Sequence, residues 1–371
     1  MAKLFWQAGQ VAIDHTPLGL VVTEPFFHLV NLTARMEKHS RNTRNCARLL
    51  DQSEARNLEG AKFLRQTEQM LSPIHMSSLR RLPFTQFDVF TSRALEGNPL
   101  AVFADGRGLS DDQMQSIAKE MNLSETTYIL ARDAAIEKEL GIRVRIFTVQ
   151  EELPFAGHPT LGTAFALRGN SGASEIRLEL NVGTIPVRFE DTPGQPSFGE
   201  MTQVDPAFGQ THDLKKVAEA TGIPSNDIDP HFPIQTVSTG VPFTILPLRG
   251  LEQIRRLQIN HAQATEYLSA SGGNSFFCVT RQTVDPEARL HARMLFYNGE
   301  DPATGSASGC AAAWMVQHGI AQPEEQVLIE QGVEMKRPSR IFVRASRGNG
   351  RVVNVRVGGN VVEVLRGELC F

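Results

Sequence analysis

Two stretches of this chain are apolar on every side that a helix would present. GHPTLGTAFALR (157–168) opens with glycine and proline and runs into Ala-Phe-Ala-Leu, and a segment at 305–318, GSASGCAAAWMVQH, ends in Trp314-Met315-Val316. A helix without a polar face has to be surrounded by other structure. Around both, the pattern switches to the alternation of strands. Ahead of the first lie FTQFDVFTS (84–92), a turn and strand in EGNPLAVFAD (96–105), SETTYIL (124–130) and IRVRIFTV (142–149). EIRLELNVGTIPVRFED (175–191) follows as a hairpin turning near Asn181 to Gly183. Between these strands, 109–122 has Ser110 as a cap, acids in its first turn and Met114, Ile117, Ala118 and Met121 at helical spacing. The same texture recurs later. A helix at 213–222 precedes strands over 236–248, a helix near 251–257 leads to strands at 274–282 and 292–298, and paired strands at 341–346 and 352–369 follow the second apolar helix.

This repetition predicts an α/β (α+β) fold of two similar lobes, each a curved mixed or antiparallel sheet wrapped round one central helix. The Pro/Gly-rich DTPGQPSFGE (191–200) is the candidate crossing, giving a first lobe at 81–195, completed by the C-terminal strand, and a second at 196–371. Residues 1–80 have a different texture, with scattered bases (Arg35, Lys38, Arg41, Arg44, Arg48) and no strand alternation. Leu49, Leu50, Leu58, Phe63 and Leu64 can line one face of a helix around 47–70. The expectation for 1–80 is a poorly ordered N-terminal extension, or translated sequence upstream of a start at Met76; a partner-binding or targeting role is the alternative.

Composition narrows the function classes. The 371 residues are 41% hydrophobic and 21% charged with a formal net charge of −4, which argues against nucleic acid as the main partner. Cys46, Cys278, Cys310 and Cys370 show no CxxC or Cys/His ligand spacing, so neither a disulfide framework nor a metal site is expected. No apolar run approaches the ~20 residues of a membrane span, and no signal peptide is evident. A cytoplasmic protein acting on small molecules is the expectation.

The chemistry concentrates at GEDPATGSASGC (299–310), an acidic loop turning into the second apolar helix. Small residues there let backbone N–H groups converge on an anion, and Glu300 and Asp301 stand at its mouth. LPFAGHPTLGTAFAL (153–167) has the same design, with His158 between Gly157 and Pro159. Both suggest a small carboxylate-bearing ligand.

Together, FDVFTSRALEGNPLAVF, MNLSETTYIL, IFTVQEELPFAGHPTLGTA, VSTGVPFTILPL and EDPATGSASG resemble, in order, the signatures of the phenazine-biosynthesis PhzF-like family over roughly residues 82–371. The resemblance implies the diaminopimelate-epimerase-like fold, with the active site between two lobes. It also implies an isomerase that works without metal or organic cofactor, and a homodimer. In that family the glutamate of the NLSET-type motif, here Glu125, is the acid/base that removes and returns a substrate proton. His158 and Asp301 match residues that orient the substrate or adjust the proton carrier, and Ser306 one that holds the substrate. Gly305 and Ala307 would add backbone N–H groups, with Gly157 and Thr163 as weaker counterparts in the first lobe. Gly240 in VSTGVP could let the backbone approach the ligand. Glu300 reads as solvated or structural.

Diaminopimelate epimerases on this fold use two opposed cysteines, each just before the glycine that opens a central helix. Ala156 and Thr304 stand at those places here, and Cys310 lies a turn further on as a small core residue. A two-cysteine racemase is therefore disfavoured, and a single-carboxylate shuttle at Glu125 is left. The alternatives are an epimerase of another amino or hydroxy acid, or a non-catalytic small-acid-binding protein on the same fold.

Overall fold

The protein is described from a computed structural model over residues 79–296 and 299–371, together with two short strands, β1 (Trp6–Gln7) and β2 (Gln10–Val11). Those two strands pair antiparallel within a unit spanning Met1–Ser78; the second unit is Leu79–Phe371. The expected helix around 47–70 and the start at Met76 lie outside the described residues.

The larger unit is built from strands β3 (Arg81–Val89), β4 (Asn98–Phe103), β5 (Glu125–Leu130), β6 (Ile142–Phe147), β7 (Glu152–Leu153), β8 (Glu175–Leu180), β9 (Gly183–Glu190) and β10 (Phe198–Thr202), followed by a second series. That series is β11 (Ala207–His212), β12 (Ile234–Ser238), β13 (Pro242–Pro247), β14 (Ser275–Thr280), β15 (Ala288–Phe296), β16 (Gly299–Asp301), β17 (Val327–Gln331), β18 (Ser339–Gly348) and β19 (Arg351–Gly359). The last strand is β20 (Val361–Cys370).

Their pairing discloses an internal duplication. One half runs β20-β3-β4-β5-β6-β8-β9-β10, with only β4–β5 and β6–β8 parallel. The other runs β11-β12-β13-β14-β15-β17-β18-β19, with only β13–β14 and β15–β17 parallel. Sense and order correspond strand for strand, and the short β7 on β6 corresponds to β16 on β15. Residues 191–197 form the link of the β9–β10 hairpin, and the halves join where β10 also pairs with β19. The C-terminal β20 adds to β3 rather than to the neighbouring β19, from which Asn360 separates it.

Each half curls round its apolar helix. The first, Gly157–Arg168, packs on β3, β4, β5, β8 and β10; the second, Gly305–Gln317, packs on β12, β13, β18 and β19. Every residue of the second from Gly305 to Val316 is buried, as its lack of a polar face requires. Outside lie amphipathic helices. Asp111–Met121 is closed by a Ser110/Gln113 capping box and buries Met114, Ile117 and Ala118, in line with its periodicity. Helices Ala134–Leu140 and His261–Ser271 and strand β11 carry weak patterns and were not expected from sequence. Among the described residues no helix is long and apolar enough to cross a membrane.

Candidate active site

The two central helices meet start to start. A Cβ added to Gly157 would lie 2.7 Å from the Cα and carbonyl carbon of Gly305 and from the amide nitrogen of Ser306. A Cβ on Gly305 would in turn lie 3.1 Å from Gly157 Cα and 2.9 Å from Phe90 Cζ. Only glycine at both places lets the backbones come this close, so the positive ends of two helix dipoles converge on one spot.

Neither helix has a side-chain cap. Ala156, the first N-cap residue, has nothing to offer, and Thr304, the second, gives its hydroxyl to Asp301 Oδ2 (2.6 Å) instead. First-turn N–H groups, which a helix cannot satisfy internally, therefore remain for another acceptor.

Around this junction the sequence-selected residues assemble. Glu125 opens β5, paired in parallel with Leu100 of β4. His158 is the second residue of the first central helix, only 3% exposed. Asp301 ends β16, opposite Met294. Glu125 Oε2 and His158 Nε2 are 3.2 Å apart without hydrogen-bond alignment, and both atoms are otherwise buried and unpartnered. Loose contacts of this kind in a ligand-free site can tighten when substrate binds.

Asn98, fully buried at the start of β4, links the two halves. Its Nδ2 lies 2.6 Å from Asp301 Oδ1, 3.0 Å from the Ala303 carbonyl and 3.1 Å from His158 Nδ1. The carboxylate and carbonyl are acceptors, which sets the amide orientation. The two amide hydrogens go to the Asp301 and Ala303 oxygens, so the contact with His158 Nδ1 places the ring beside the amide without assigning its tautomer. Gly97 precedes Asn98 at φ +68, where a Cβ would stand 2.3 Å from the Val89 carbonyl, and Arg337 secures this turn by donating to the Gly97 (2.9 Å) and Glu96 (2.9 Å) carbonyls.

Electrostatically the site separates its groups. Burial, reinforced by the charge of Asp301, raises the Glu125 carboxyl well above the ordinary glutamate range. Asp301 is raised too, by burial, but its bonds from Thr304 and Asn98 pull the other way. Burial lowers His158 to about 3, so its imidazole is neutral at physiological pH. The arrangement holds one hydrogen-bonded carboxylate, one poorly solvated carboxyl and one neutral imidazole between them.

The remaining candidates divide. Ser306 and Ala307, both buried, occupy the first turn of the second helix beside Gly157. Gly240 is an exposed turn residue at φ +126, where an added Cβ would meet Phe155 at 3.5 Å, and its neighbour Thr239 reaches the Ser306 carbonyl (3.5 Å). The Thr163 hydroxyl is engaged with Thr127 (2.9 Å), a core contact. Glu300 is structural, held by Arg293 through Nε (2.8 Å) and a terminal nitrogen (2.6 Å). Cys310 is fully buried, and burial pushes its thiol up to about 11, unlike a nucleophile.

Sequence reasoning missed Asn98, Gln203 and Gln331. Gln203 Nε2 donates to the Gly305 carbonyl (3.0 Å), and Gln331 holds Thr304 and Asp301. The available signal was a lone amide side chain inside or beside an apolar strand run, as in NPLAVF and VLIEQ.

Comparison with known proteins identifies the family. The family model described as phenazine biosynthesis-like protein matches residues 87–367. The chain belongs to this PhzF-like family. An uncharacterised isomerase of Mesorhizobium japonicum is 36% identical over 297 residues, covering 76% of this chain and 97% of the relative. The trans-2,3-dihydro-3-hydroxyanthranilate isomerase of Pseudomonas aeruginosa is 34% identical over 282 residues, covering 75% and 95%. Among solved structures, a PhzF-family phenazine biosynthesis protein of Bacillus anthracis superposes with a TM-score of 0.70 at 26% identity, covering 78% of this chain and 99% of that one. The fold is the diaminopimelate-epimerase-like one, and the chain is a PhzF-like isomerase.

Proposed function

We propose that this enzyme moves a proton on a small carboxylate-bearing substrate by acid/base catalysis on a single carboxyl, without a metal or organic cofactor. The observation that carries the reading is the buried Glu125 carboxyl, unpartnered at Oε2, beside a neutral His158 and two uncapped helix starts. The substrate carboxylate binds the first-turn N–H groups of Gly305, Ser306 and Ala307, where the helix dipoles favour negative charge. Glu125 in its basic form takes a proton from the activated carbon and returns it at another position of the same face. A raised proton affinity suits this double use, because the group must both accept and release near neutral pH. His158 and Asp301 position the substrate and adjust the shuttle.

Trans-2,3-dihydro-3-hydroxyanthranilate, the substrate in the name of the Pseudomonas aeruginosa relative, is the first compound to test. The experiment incubates the full chain in deuterated solvent with that compound and a panel of small amino, hydroxy and unsaturated acids. The expected result is double-bond migration with deuterium at one new position. Label at a stereocentre with loss of optical activity would replace the reading by epimerisation. Binding without any exchange across the panel would replace it by a non-catalytic role.

A further inference from the structure

Behind Asp301 lies a chain of oriented hydrogen bonds that the reaction scheme has not used. Gln331, fully buried at the end of β17, accepts from the Thr304 amide through Oε1 (3.0 Å). Its Nε2 donates to the Asp301 carbonyl (2.7 Å) and to Thr304 Oγ1 (2.9 Å). The backbone partners leave no choice of amide orientation, since an N–H needs the oxygen and a carbonyl needs the nitrogen. A threonine hydroxyl has one hydrogen. Because Thr304 Oγ1 receives a bond from Gln331, that hydrogen is directed to Asp301 Oδ2 (2.6 Å). Asn98 meanwhile donates to Oδ1 (2.6 Å). Both oxygens of Asp301 therefore accept a hydrogen bond, which favours its ionised form.

Deepening the proposed function on which it rests, we infer that Gln331 is a positioning residue: by orienting the Thr304 hydroxyl it keeps Asp301 the ionised member of the pair and leaves the mobile proton to Glu125. The two carboxyls are buried close enough for each charge to bear on the other, so fixing the charge on one sets the proton affinity of the second. The same bond explains why Thr304 does not cap its helix. The hydroxyl that would occupy the first-turn N–H groups is turned away to Asp301, which keeps those groups open to a ligand anion.

Among the described residues, the other charged groups on the strands beside Asp301 are already paired. Glu300 of its own strand binds Arg293 of β15; behind it, His291 of β15 lies between Glu330 of β17 (2.7 Å) and Glu334 (3.2 Å). Across the site, among the described residues, stand His158, from the first central helix, and Glu125, from β5. Asp88 of β3, paired in register with Pro99, is held by Arg337 (2.8 Å).

The test is a side-chain carbon-13 NMR titration of the full chain labelled in aspartate and glutamate, with the Glu125 signal assigned by its loss in Glu125→Gln. Thr304→Val removes only the directing hydroxyl, and Gln331→Met removes the amide that orients it. Either change is expected to let Asp301 take up a proton more readily, so that the Glu125 midpoint falls by about one pH unit or more. Thr304→Ser, which keeps the hydroxyl, is expected to restore it. A Glu125 midpoint unchanged in folded Thr304→Val and Gln331→Met overturns the inference and leaves the proposed function standing. A wild-type Glu125 that titrates in the ordinary glutamate range overturns the proposed function, and this inference with it.

Discussion

Replacing Gly157 with alanine perturbs the contact on which the two halves of the enzyme converge. The new Cβ would stand 2.7 Å from three backbone atoms of Gly305 and Ser306, against about 3.4 Å for an ordinary contact. Backbone at a helix start cannot rotate away as a side chain can, so the helix starts must part by about 0.7 Å. Overpacking of this kind costs about 1–3 kcal/mol, and at most ~1 kcal/mol returns from alanine's better helix propensity. For a unit of this size the net loss corresponds to a Tm several degrees lower. Activity should suffer more than stability. Glu125 and His158 belong to one half and Asp301 and Ser306 to the other, and a misplacement approaching 1 Å can cost on the order of 10²-fold in rate. Gly348→Ala is the control, because a Cβ there meets only Val353 Cγ2 at 3.5 Å. The assays are thermal unfolding and proton exchange into substrate for both variants. A Gly157→Ala protein with wild-type Tm and wild-type exchange would refute the claim that the helix starts are in contact and that the site spans them.

Other residues give independent checks. His291 is fully buried; burial opposes its charge, but Glu330 and Glu334 overcome this and raise it to about 9. Its folded value exceeds the unfolded one, so its stabilisation is complete below pH 6.5 and disappears as pH rises through about 9. His291→Leu, which strands two buried carboxylates, should cost about 3–5 kcal/mol at neutral pH in chemical denaturation. Glu125, also raised, has the same sign: it opposes folding increasingly above the ordinary glutamate range. Glu125→Gln should therefore be more stable than wild type at pH 8, with the advantage shrinking toward pH 4; an advantage that grew on acidification would contradict the burial argument. His158 has the opposite sign. With its folded value near 3, its contribution is present above pH 6.5 and fades as pH falls, so His158→Gln should flatten the acid limb of the stability curve. Cys310→Ala should retain exchange activity, since the buried thiol is not a nucleophile at neutral pH; loss of exchange in a folded variant would reopen thiol chemistry.

The two apolar helices were legible almost to the residue, because burial on every side admits no other pattern and their glycine openings mark the N-termini. Strands with clean alternation, such as β6 and the β8–β9 hairpin, were equally plain. What the pattern concealed was pairing. Nothing in VVNVRVGGNVVEVLRGEL shows that the break at Asn360 sends β20 to β3, nor that the strand senses of the two halves correspond, since sheet order is fixed by contacts remote in sequence. The helix at His261–Ser271 went unseen because its apolar face is short, burying only Ala264 and Leu268. At the site, Glu125, His158, Asp301 and Ser306 came from motif resemblance, and the structure brings them to one junction. Asn98, Gln203 and Gln331 did not emerge, because an amide side chain in a strand becomes informative only when its buried partners are known. Thr304 was noticed for the cysteine it replaces; that its hydroxyl turns from the helix to Asp301 is visible only in three dimensions.

The central claim is that Glu125 carries the proton. Its most direct test compares wild type and Glu125→Gln in deuterated solvent, with the substrate found by the panel, by mass spectrometry of the recovered acid. The account predicts deuterium at one position with the wild type and, with a folded Glu125→Gln protein that still binds the acid, a rate at least 10²-fold lower. Equal label uptake by the two proteins would contradict it.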